Sequence, residues 1–404
     1  MANNSYVPFH LPSIGEEEIA AVEKVLRSGW LTTGPVTMEF EKEFANYTGC
    51  KHALAVNSGT SALQLALDAI GLKHDDEVLV PTYTFTATAE VVTYFGAKPV
   101  LCDSVPGGFN IDPEDASRRL TSKTKAIIPV HLGGEPCDMA AIRSLAVRHN
   151  LHVIEDAAHA LPASFGGKRV GAISELTAFS FYATKTITTG EGGMLTTDDD
   201  AHAERAVRMR LHGIGKDAWK RYSRTGSWKY EVLDAGYKFN LPDILAAVGR
   251  EQLLKSDKFY QQRRALAERY LSKLAQLEEL ELPPLGPVGS QHAWHLFIIR
   301  IRPDQLGIDR DAFIEQLKEA GIGTSVHFIP LHRHPFYQER YGVGPEAFPR
   351  ADNAYLRAVS IPIFPSLSDV EQNTVVESIK QVISKNRKNK SVTYDTSKPN
   401  AVRC

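Results

Sequence analysis

Residues 179–193 read FSFYATKTITTGEGG, which is the most informative segment of the sequence. Lys185 follows an apolar strand and precedes the glycine cluster at residues 190–193, where a ligand can approach the backbone closely. A lysine amine forms an imine with an aldehyde when burial or nearby cations lower its pKa. An isolated lysine is more often a surface residue in a turn, so its role depends on the residues that surround it in the fold.

Around this stretch, short apolar runs alternate with helical patterns from about residue 50 to residue 200. Such strands, without strict alternation of polar and apolar residues, predict a largely parallel sheet covered by helices on both faces. Ligands bind outside the carboxyl ends of the strands in such sheets. The predicted strands are Ala53–Val56, Glu77–Val80, Lys98–Cys102, Ala126–Val130, His152–Ile154 and Thr177–Phe181.

The second half of the chain has a different pattern. A long helical pattern follows Pro242, and prolines at 283, 284 and 287 then indicate a domain boundary. We predict a large domain over residues 1–280 and a small α+β domain over residues 281–384, with strands at Trp294–Ile301 and Thr324–Ile329 and a helix at Arg310–Ala320. The polar, basic residues 385–404 are expected to be a disordered tail.

Composition narrows the class of protein. The formal net charge of −2 over 404 residues favours neither a nucleic acid nor an anionic membrane as a partner. The chain has no apolar run of about twenty residues and no signal-peptide pattern at its start. Its four scattered cysteines indicate reduced thiols. We therefore expect a cytoplasmic protein.

Two side chains follow the strand Val153-Ile154-Glu155. Asp156 ends this strand, where an aspartate can pair with the protonated pyridine nitrogen of pyridoxal phosphate. His159 lies three residues later, close enough to donate a hydrogen bond to the ring oxygen of the same cofactor. Taken alone, Asp156 is more simply explained as a helix N-cap.

Two further segments fit the same cofactor. Gly59 and Thr60 lie in a turn that leads into a helix, whose free N–H groups favour a phosphate, and Ser180 is a further candidate donor. Phe85 follows another strand end and can stack on a planar ring, although alone it reads as a core residue.

Two other motifs do not indicate a site. Gly213-Ile214-Gly215 does not complete the GxGxxG pattern of dinucleotide-binding folds. His327, His332 and His334 lack the spacing of a known metal site, so no metal is predicted.

The ordered segments AVNSGTSAL (residues 55–63), IEDAAHA (154–160), FSFYATK (179–185) and GEGG (190–193) resemble the DegT family of sugar aminotransferases. The resemblance runs from Pro8 to about Ile383. It implies the aspartate aminotransferase fold (fold type I), with a mostly parallel seven-stranded sheet, and pyridoxal 5′-phosphate as cofactor. It also implies a homodimer with shared active sites.

The resemblance also assigns roles to residues. It implies Lys185 as the Schiff-base and catalytic lysine and Asp156 as the partner of the pyridine nitrogen. It places His159 at the ring oxygen, Phe85 on the ring, and phosphate contacts at Gly59, Thr60 and Ser180. The substrate contacts that it implies are Trp30, Thr32 and His327.

One position departs from the family pattern. Many relatives carry GxNxR where this chain has Gly236-Tyr-Lys238-Phe-Asn240, and the family's asparagine reaches the cofactor phosphate of the partner subunit. Either Lys238 or Asn240 could take its place.

The implied reaction is a ping-pong transfer of an amino group from L-glutamate, which leaves as 2-oxoglutarate, to a nucleotide-linked keto sugar, with pyridoxamine 5′-phosphate as the intermediate form of the cofactor. Segments such as HAWHLFIIR (292–300) are similar to the branch that forms UDP-4-amino-4-deoxy-L-arabinose, which favours a UDP-linked 4-keto sugar. A dTDP- or GDP-linked sugar and a non-nucleotide acceptor stay open. Two competing functions are a dehydratase of the same fold, whose members carry histidine in place of Lys185, and a cofactor-binding regulator without turnover.

Overall fold

The computed structural model of the chain describes residues 6–214 and 229–388. The helices in these ranges are α1 (Glu16–Ser28), α2 (Pro35–Thr48), α3 (Gly59–Ala69), α4 (Ala87–Thr93), α5 (Pro113–Arg118), α6 (Met139–His149), α7 (Asp200–Met209), α8 (Asp243–Leu274), α9 (Arg310–Glu319), α10 (Pro335–Tyr341), α11 (Pro349–Arg357) and α12 (Asp369–Asn386). The strands are β1 (His52–Val56), β2 (Glu77–Pro81), β3 (Lys98–Cys102), β4 (Thr124–Ile127), β5 (His152–Asp156), β6 (Ser164–Phe165), β7 (Lys168–Arg169), β8 (Leu176–Ser180), β9 (Gly193–Thr197), β10 (Leu280–Glu281), β11 (Ser290–Gln291), β12 (Phe297–Ile301) and β13 (Ala358–Ile361).

The central sheet has seven strands in the order β1-β9-β8-β5-β4-β2-β3. The pairs from β8 to β3 are parallel, and β9 is antiparallel to both of its neighbours. The predicted, mostly parallel seven-stranded sheet is therefore confirmed. Its carboxyl ends bring together the turns that follow β1, β2, β5 and β8, where the predicted cofactor contacts from Gly59 to Lys185 lie.

Apolar residues occupy both faces of this sheet. Leu54 and Val56 of β1 belong to one buried cluster, whereas Ala53 and Ala55 belong to another. Successive side chains of a strand point to opposite faces, so each face packs against its own helices. This explains why the strands read as continuous apolar runs in the sequence.

The C-terminal part forms a three-stranded antiparallel sheet, β10-β12-β13, with its own buried cluster. The strand predicted at Thr324–Ile329 is wrong, because only Ser325 forms a bridge, with Ser360. Beyond it the backbone turns away from the sheet, and the Leu331 N–H bonds the Thr82 carbonyl at 2.8 Å. The domain boundary at residue 280 stays a prediction.

Residues 385–388, at the start of the predicted tail, belong to the described structure. Helix α12 continues through Asn386, so Lys385 is helical, and Arg387 forms a bridge with Leu306. Residues 389–404 lie outside the described ranges. Within those ranges, no helix combines the length and the apolar character that a membrane crossing requires.

Asp243, at the start of α8, fixes the segment before α2. Its buried carboxylate accepts hydrogen bonds from the Gly34 and Thr37 N–H groups at 2.7 and 2.9 Å, from the Val36 N–H at 3.2 Å and from the Thr37 hydroxyl at 2.6 Å. One carboxylate therefore satisfies free N–H groups at the beginning of α2, in the manner of an N-cap, although it is more than two hundred residues away in the chain.

We expect Asp243→Ala to lower the melting temperature of the protein by about 3–6 °C, because four hydrogen bonds to a charged group are lost. Differential scanning calorimetry measures this. Leu254→Ala, at an exposed position of the same helix, is the control and should shift the melting temperature by less than about 1 °C. Equal shifts for the two variants would contradict this role of Asp243.

Candidate active site

Lys185 lies in the loop between β8 and β9. Its backbone N–H bonds the Tyr182 carbonyl at 2.9 Å, which closes a turn directly after the strand. Burial lowers the pKa of the Lys185 amine to about 8, and the Asp156 carboxylate opposes part of this effect. A lysine amine with this pKa is partly neutral near physiological pH, which an amine nucleophile or base requires.

Asp156 ends β5 and is buried. Its Oδ2 accepts a hydrogen bond from the Thr88 hydroxyl at 2.8 Å, and its Oδ1 accepts one from the Ala158 N–H at 3.1 Å. Burial raises the pKa of this carboxyl group, while these two donors and Lys185 oppose the rise. Among the residues that the structure describes, no basic side chain forms an ion pair with Asp156.

Three histidines lie near Lys185. They are His159, His327 and His295, and burial together with the Lys185 charge lowers the pKa of each. All three imidazoles are therefore neutral at physiological pH. His159 Nδ1 accepts a hydrogen bond from the Gly133 N–H at 3.2 Å, so its proton lies on Nε2. His159 can donate from Nε2, as the predicted contact with the ring oxygen requires.

The loop at Gly133 and Gly134, which contacts His159, is fixed by backbone hydrogen bonds to the C-terminal part of the chain. The Gly133 carbonyl accepts a hydrogen bond from the Leu296 N–H at 3.0 Å, and the Gly134 carbonyl accepts one from the Ala293 N–H at 2.8 Å. Gly134 has a φ of +95°, and a Cβ there would lie 2.9 Å from the His159 carbonyl oxygen. Glycine is therefore required at residue 134.

The predicted phosphate contacts lie together at the beginning of α3. Gly59 is so close to the end of β8 that a Cβ on it would lie 2.9 Å from the Ser180 Cβ. The Ser58 hydroxyl caps the helix by accepting the Ser61 N–H at 3.1 Å. Thr60 lies in the first turn, so Gly59, Thr60 and Ser180 surround one helix N-terminus, which favours an anion.

Phe85 forms part of an aromatic wall. Its side chain is 57% exposed, its ring lies 5.5 Å from the Phe328 ring, and Phe328 stacks on His159 at 5.7 Å. Phe85 and Phe328 line a cavity of about 530 Å³ with Phe336 and Tyr337. Its volume is in the range of small-ligand sites.

The predicted substrate and partner contacts form a second group. Asn240 accepts a hydrogen bond from the Lys238 amine and donates one to the Thr33 hydroxyl at 2.6 Å. Thr32 accepts the Asp243 N–H at 3.2 Å through its carbonyl, and Trp30 donates to the Thr33 carbonyl at 3.2 Å. Thus the segment of Trp30 and Thr32 contacts the segment of Lys238 and Asn240 within the chain.

This second group lies next to the turn at Gly59, where the predicted phosphate contacts are. The Asn57 N–H bonds the Phe239 carbonyl at 2.7 Å, and Asn57 precedes Gly59 by two residues. The segment that carries Lys238 and Asn240 therefore lies next to the turn at Gly59. Whether Lys238 or Asn240 reaches a partner subunit stays a prediction.

The histidines at 327, 332 and 334 have separate partners. His327 contacts the Ser360 hydroxyl, His332 bridges Thr82 and Asp352, and His334 contacts the Ile329 carbonyl. Over residues 6–214 and 229–388, no group of three His, Cys, Asp or Glu side chains is placed to hold a metal ion. The third residue of the Gly213-Ile214-Gly215 motif lies outside these ranges.

Three residues at the site were not predicted from the sequence. Thr88 bonds Asp156, His295 lies 4.4 Å from the His159 ring, and Arg263 is fully buried with its guanidinium bonded to the carbonyls of Trp294, His295 and Ile363. Thr88 follows Phe85 at helical spacing, which was a usable signal. Long-range contacts of the kind that Arg263 makes leave no pattern in the sequence.

The donor set fits pyridoxal phosphate. A carboxylate buried without an ion-pair partner among the described residues suits a protonated pyridine nitrogen, and a neutral histidine with its proton on Nε2 suits a ring oxygen. The close contact of Gly59 with Ser180 leaves no room for a side chain at the helix N-terminus, where a phosphate would bind.

Comparisons with known proteins agree with this geometry. Residues 12–380 match the model of the DegT/DnrJ/EryC1/StrS aminotransferase family. The chain is 46% identical over 381 residues to the spore coat polysaccharide biosynthesis protein SpsC of Bacillus subtilis, covering 94% of this chain and 98% of SpsC.

Two solved structures are similar over nearly the whole chain. A sugar aminotransferase of Streptococcus pneumoniae, Spr1654, solved in pyridoxal- and pyridoxamine-phosphate forms, has a TM-score of 0.87 at 32% identity; its pyridoxamine-phosphate form covers 94% of this chain and 98% of its own. PseC of Helicobacter pylori, an aminotransferase involved in the biosynthesis of pseudoaminic acid, has a TM-score of 0.87 at 28% identity, with 94% and 100% coverage. The chain therefore belongs to the DegT/DnrJ/EryC1/StrS aminotransferase family, and it is a pyridoxal-phosphate-dependent aminotransferase.

Proposed function

We propose that this enzyme transfers an amino group from L-glutamate to a nucleotide-linked keto sugar, and that the acceptor is a UDP-linked 4-keto sugar. The observation that carries the transfer chemistry is the presence of Lys185, whose pKa is lowered to about 8, near the buried Asp156 carboxylate. A sugar as acceptor is supported by the similarity to Spr1654 and to PseC.

Each side chain has a proposed task. Lys185 is the covalent anchor of the cofactor, and its released amine takes a proton from the α-carbon of the amino donor and returns one at the sugar carbon. Pyridoxal phosphate, when bound, supplies the electron sink for these proton transfers. Asp156 holds the pyridine nitrogen protonated, and His159 donates from Nε2 to the ring oxygen. Proton transfer by a positioned base contributes about 10²- to 10⁴-fold to the rate.

The acceptor has room beside Phe85. The cavity of about 530 Å³ has aromatic walls, against which the apolar face of a sugar ring can stack. His327 precedes Phe328, which lines this cavity, and it stacks on Phe9 at 5.3 Å and contacts the Ser360 hydroxyl at 2.9 Å. Trp30 and Thr32 are the proposed contacts of the nucleotide part.

Lys185 argues against a dehydratase, because relatives with that activity carry histidine at that position. The chain has Lys185, the Asp156 carboxylate and the predicted phosphate contacts at Gly59. This complete set argues against a regulator without turnover. We also propose that the enzyme is a cytoplasmic homodimer. The thiols of Cys50, Cys102 and Cys137 are free, which supports a reducing compartment.

The proposed reaction is tested with purified enzyme, L-glutamate and a panel of UDP-, dTDP- and GDP-linked keto sugars. We expect 2-oxoglutarate to form in proportion to the aminated sugar, with the UDP-linked 4-keto sugar as the best acceptor, both read by mass spectrometry. Lys185→Ala should lose this turnover and the visible absorbance of the lysine-bound cofactor, whereas Lys51→Ala, at an exposed position, should keep both. Turnover by Lys185→Ala would refute the role of this lysine.

The pH dependence follows from the lowered pKa of Lys185. Below about pH 8 the amine is protonated and does not attack the cofactor aldehyde, and above this pH it is neutral. The rate at which pyridoxal phosphate rebinds to the apoenzyme should therefore rise with pH, with its midpoint near 8. Stopped-flow absorbance measures this rate, and a midpoint near the ordinary lysine pKa of about 10.4 would contradict the prediction.

Hybrid dimers test the contribution of the partner subunit. If Lys238 acts on the partner's cofactor, a mixture of Lys185→Ala and Lys238→Ala subunits creates dimers with one intact site, because one subunit supplies Lys185 and the other Lys238. Refolding an equal mixture should restore roughly a quarter of the wild-type sites, as counted by cofactor absorbance and turnover. No gain over the two parent variants would show that Lys238 acts within its own subunit.

A further inference from the structure

Thr84 and Thr88 form a short chain of hydroxyl groups behind Asp156. Both side chains are buried, with exposures of 1% and 0%. Their hydroxyl oxygens are 2.8 Å apart, and the Thr88 hydroxyl lies 2.8 Å from Asp156 Oδ2. Phe85 lies between the two threonines in the sequence, so one segment carries both the aromatic wall and this chain.

Thr88 is the second residue of α4, and Thr84 precedes this helix. The Thr88 hydroxyl contacts the hydroxyl of Thr84 and the carboxylate of Asp156. The contact joins the turn after β2 to the end of β5.

The direction of the hydrogen bonds follows from the number of protons. An ionised carboxylate only accepts, so Thr88 donates its single hydroxyl proton to Asp156. Thr88 then has no proton left for Thr84, so the Thr84 hydroxyl must donate to Thr88. The chain runs from Thr84 through Thr88 to Asp156, and each donor strengthens the next by polarisation.

This direction matters for the charge of Asp156. The carboxylate receives one hydrogen bond on each oxygen, from Thr88 and from the Ala158 N–H. A carboxylate has about four acceptor positions, so about two remain for a further donor. Without Thr88, a buried oxygen would lose the hydrogen bond that offsets the loss of water, and the protonated carboxyl form would gain.

We propose that Thr88, supported by Thr84, is a positioning residue that holds Asp156 in its ionised form and aims its free acceptor positions at the pyridine nitrogen of the cofactor. This inference rests on the proposed placement of that nitrogen at Asp156. It does not depend on the amino donor or on the acceptor.

The test compares Thr88→Val, which removes the hydroxyl at nearly constant volume, with Thr88→Ser, which keeps it. The full-length variants are titrated with pyridoxal phosphate and with its 1-deaza analogue, in which a C–H group replaces the ring nitrogen. Dissociation constants are read by protein fluorescence. We expect Thr88→Val to weaken binding of pyridoxal phosphate by about tenfold, as for the loss of a hydrogen bond to a charged group, and Thr88→Ser to stay within about twofold of wild type.

The deaza analogue separates positioning from a structural effect. With no ring nitrogen to pair with Asp156, its affinity should differ by less than about twofold between wild type and Thr88→Val. An equal loss for both cofactors, or no loss for pyridoxal phosphate, would overturn the proposal. If Thr88→Val does not fold, Thr84→Val takes its place, with an expected loss of about two- to threefold for pyridoxal phosphate alone.

Turnover is not among these readouts. A wrong amino donor or acceptor would leave the binding result unchanged, whereas the proposed function would fail in the assay with glutamate and keto sugars. The two failures are therefore distinguishable.

Discussion

The exclusion of water from the Asp156 carboxylate is the constraint on which the rest of the site depends. Moving an ionised carboxylate out of water costs several kcal/mol of free energy, unless hydrogen-bond donors or a countercharge replace the solvent. The fold supplies the Thr88 hydroxyl and the Ala158 N–H but no ion-pair partner among the described residues. The free enzyme therefore holds a carboxylate whose charge is only partly compensated, and a cationic pyridine ring supplies the missing countercharge.

The same exclusion of water that raises the pKa of Asp156 lowers the pKa of the neighbouring basic side chains. Burial lowers the pKa of Lys185 to about 8 and holds His159, His295 and His327 neutral. The three imidazoles thus contribute little positive charge and act as hydrogen-bonding groups, while the Lys185 amine is neutral only in part. The loss of water favours the neutral form of both Lys185 and Asp156, and at Asp156 the hydrogen bonds from Thr88 and Ala158 oppose it.

The sequence predicted the fold well, because alternating apolar runs and helical patterns directly reflect a parallel sheet. It also predicted that Asp156 ends a strand, at the edge where the carboxyl ends of parallel strands meet. It failed at Thr324–Ile329, where β-branched residues are typical of a strand but contacts with Thr82 decide the path. Thr88 and Arg263 were missed because their importance comes from partners far away in the chain.

The backbone bonds between Gly133-Gly134 and Ala293–Leu296 have a consequence for the evolution of new specificities. Recombination that exchanged the C-terminal sheet for that of a relative would replace one partner in each of these bonds. They depend on main-chain positions and on a glycine, and hardly on side-chain identity. Such a chimera would keep the imidazole of His159 in place while altering the walls of the acceptor cavity. Relatives can therefore inherit the same chemistry and act on different substrates.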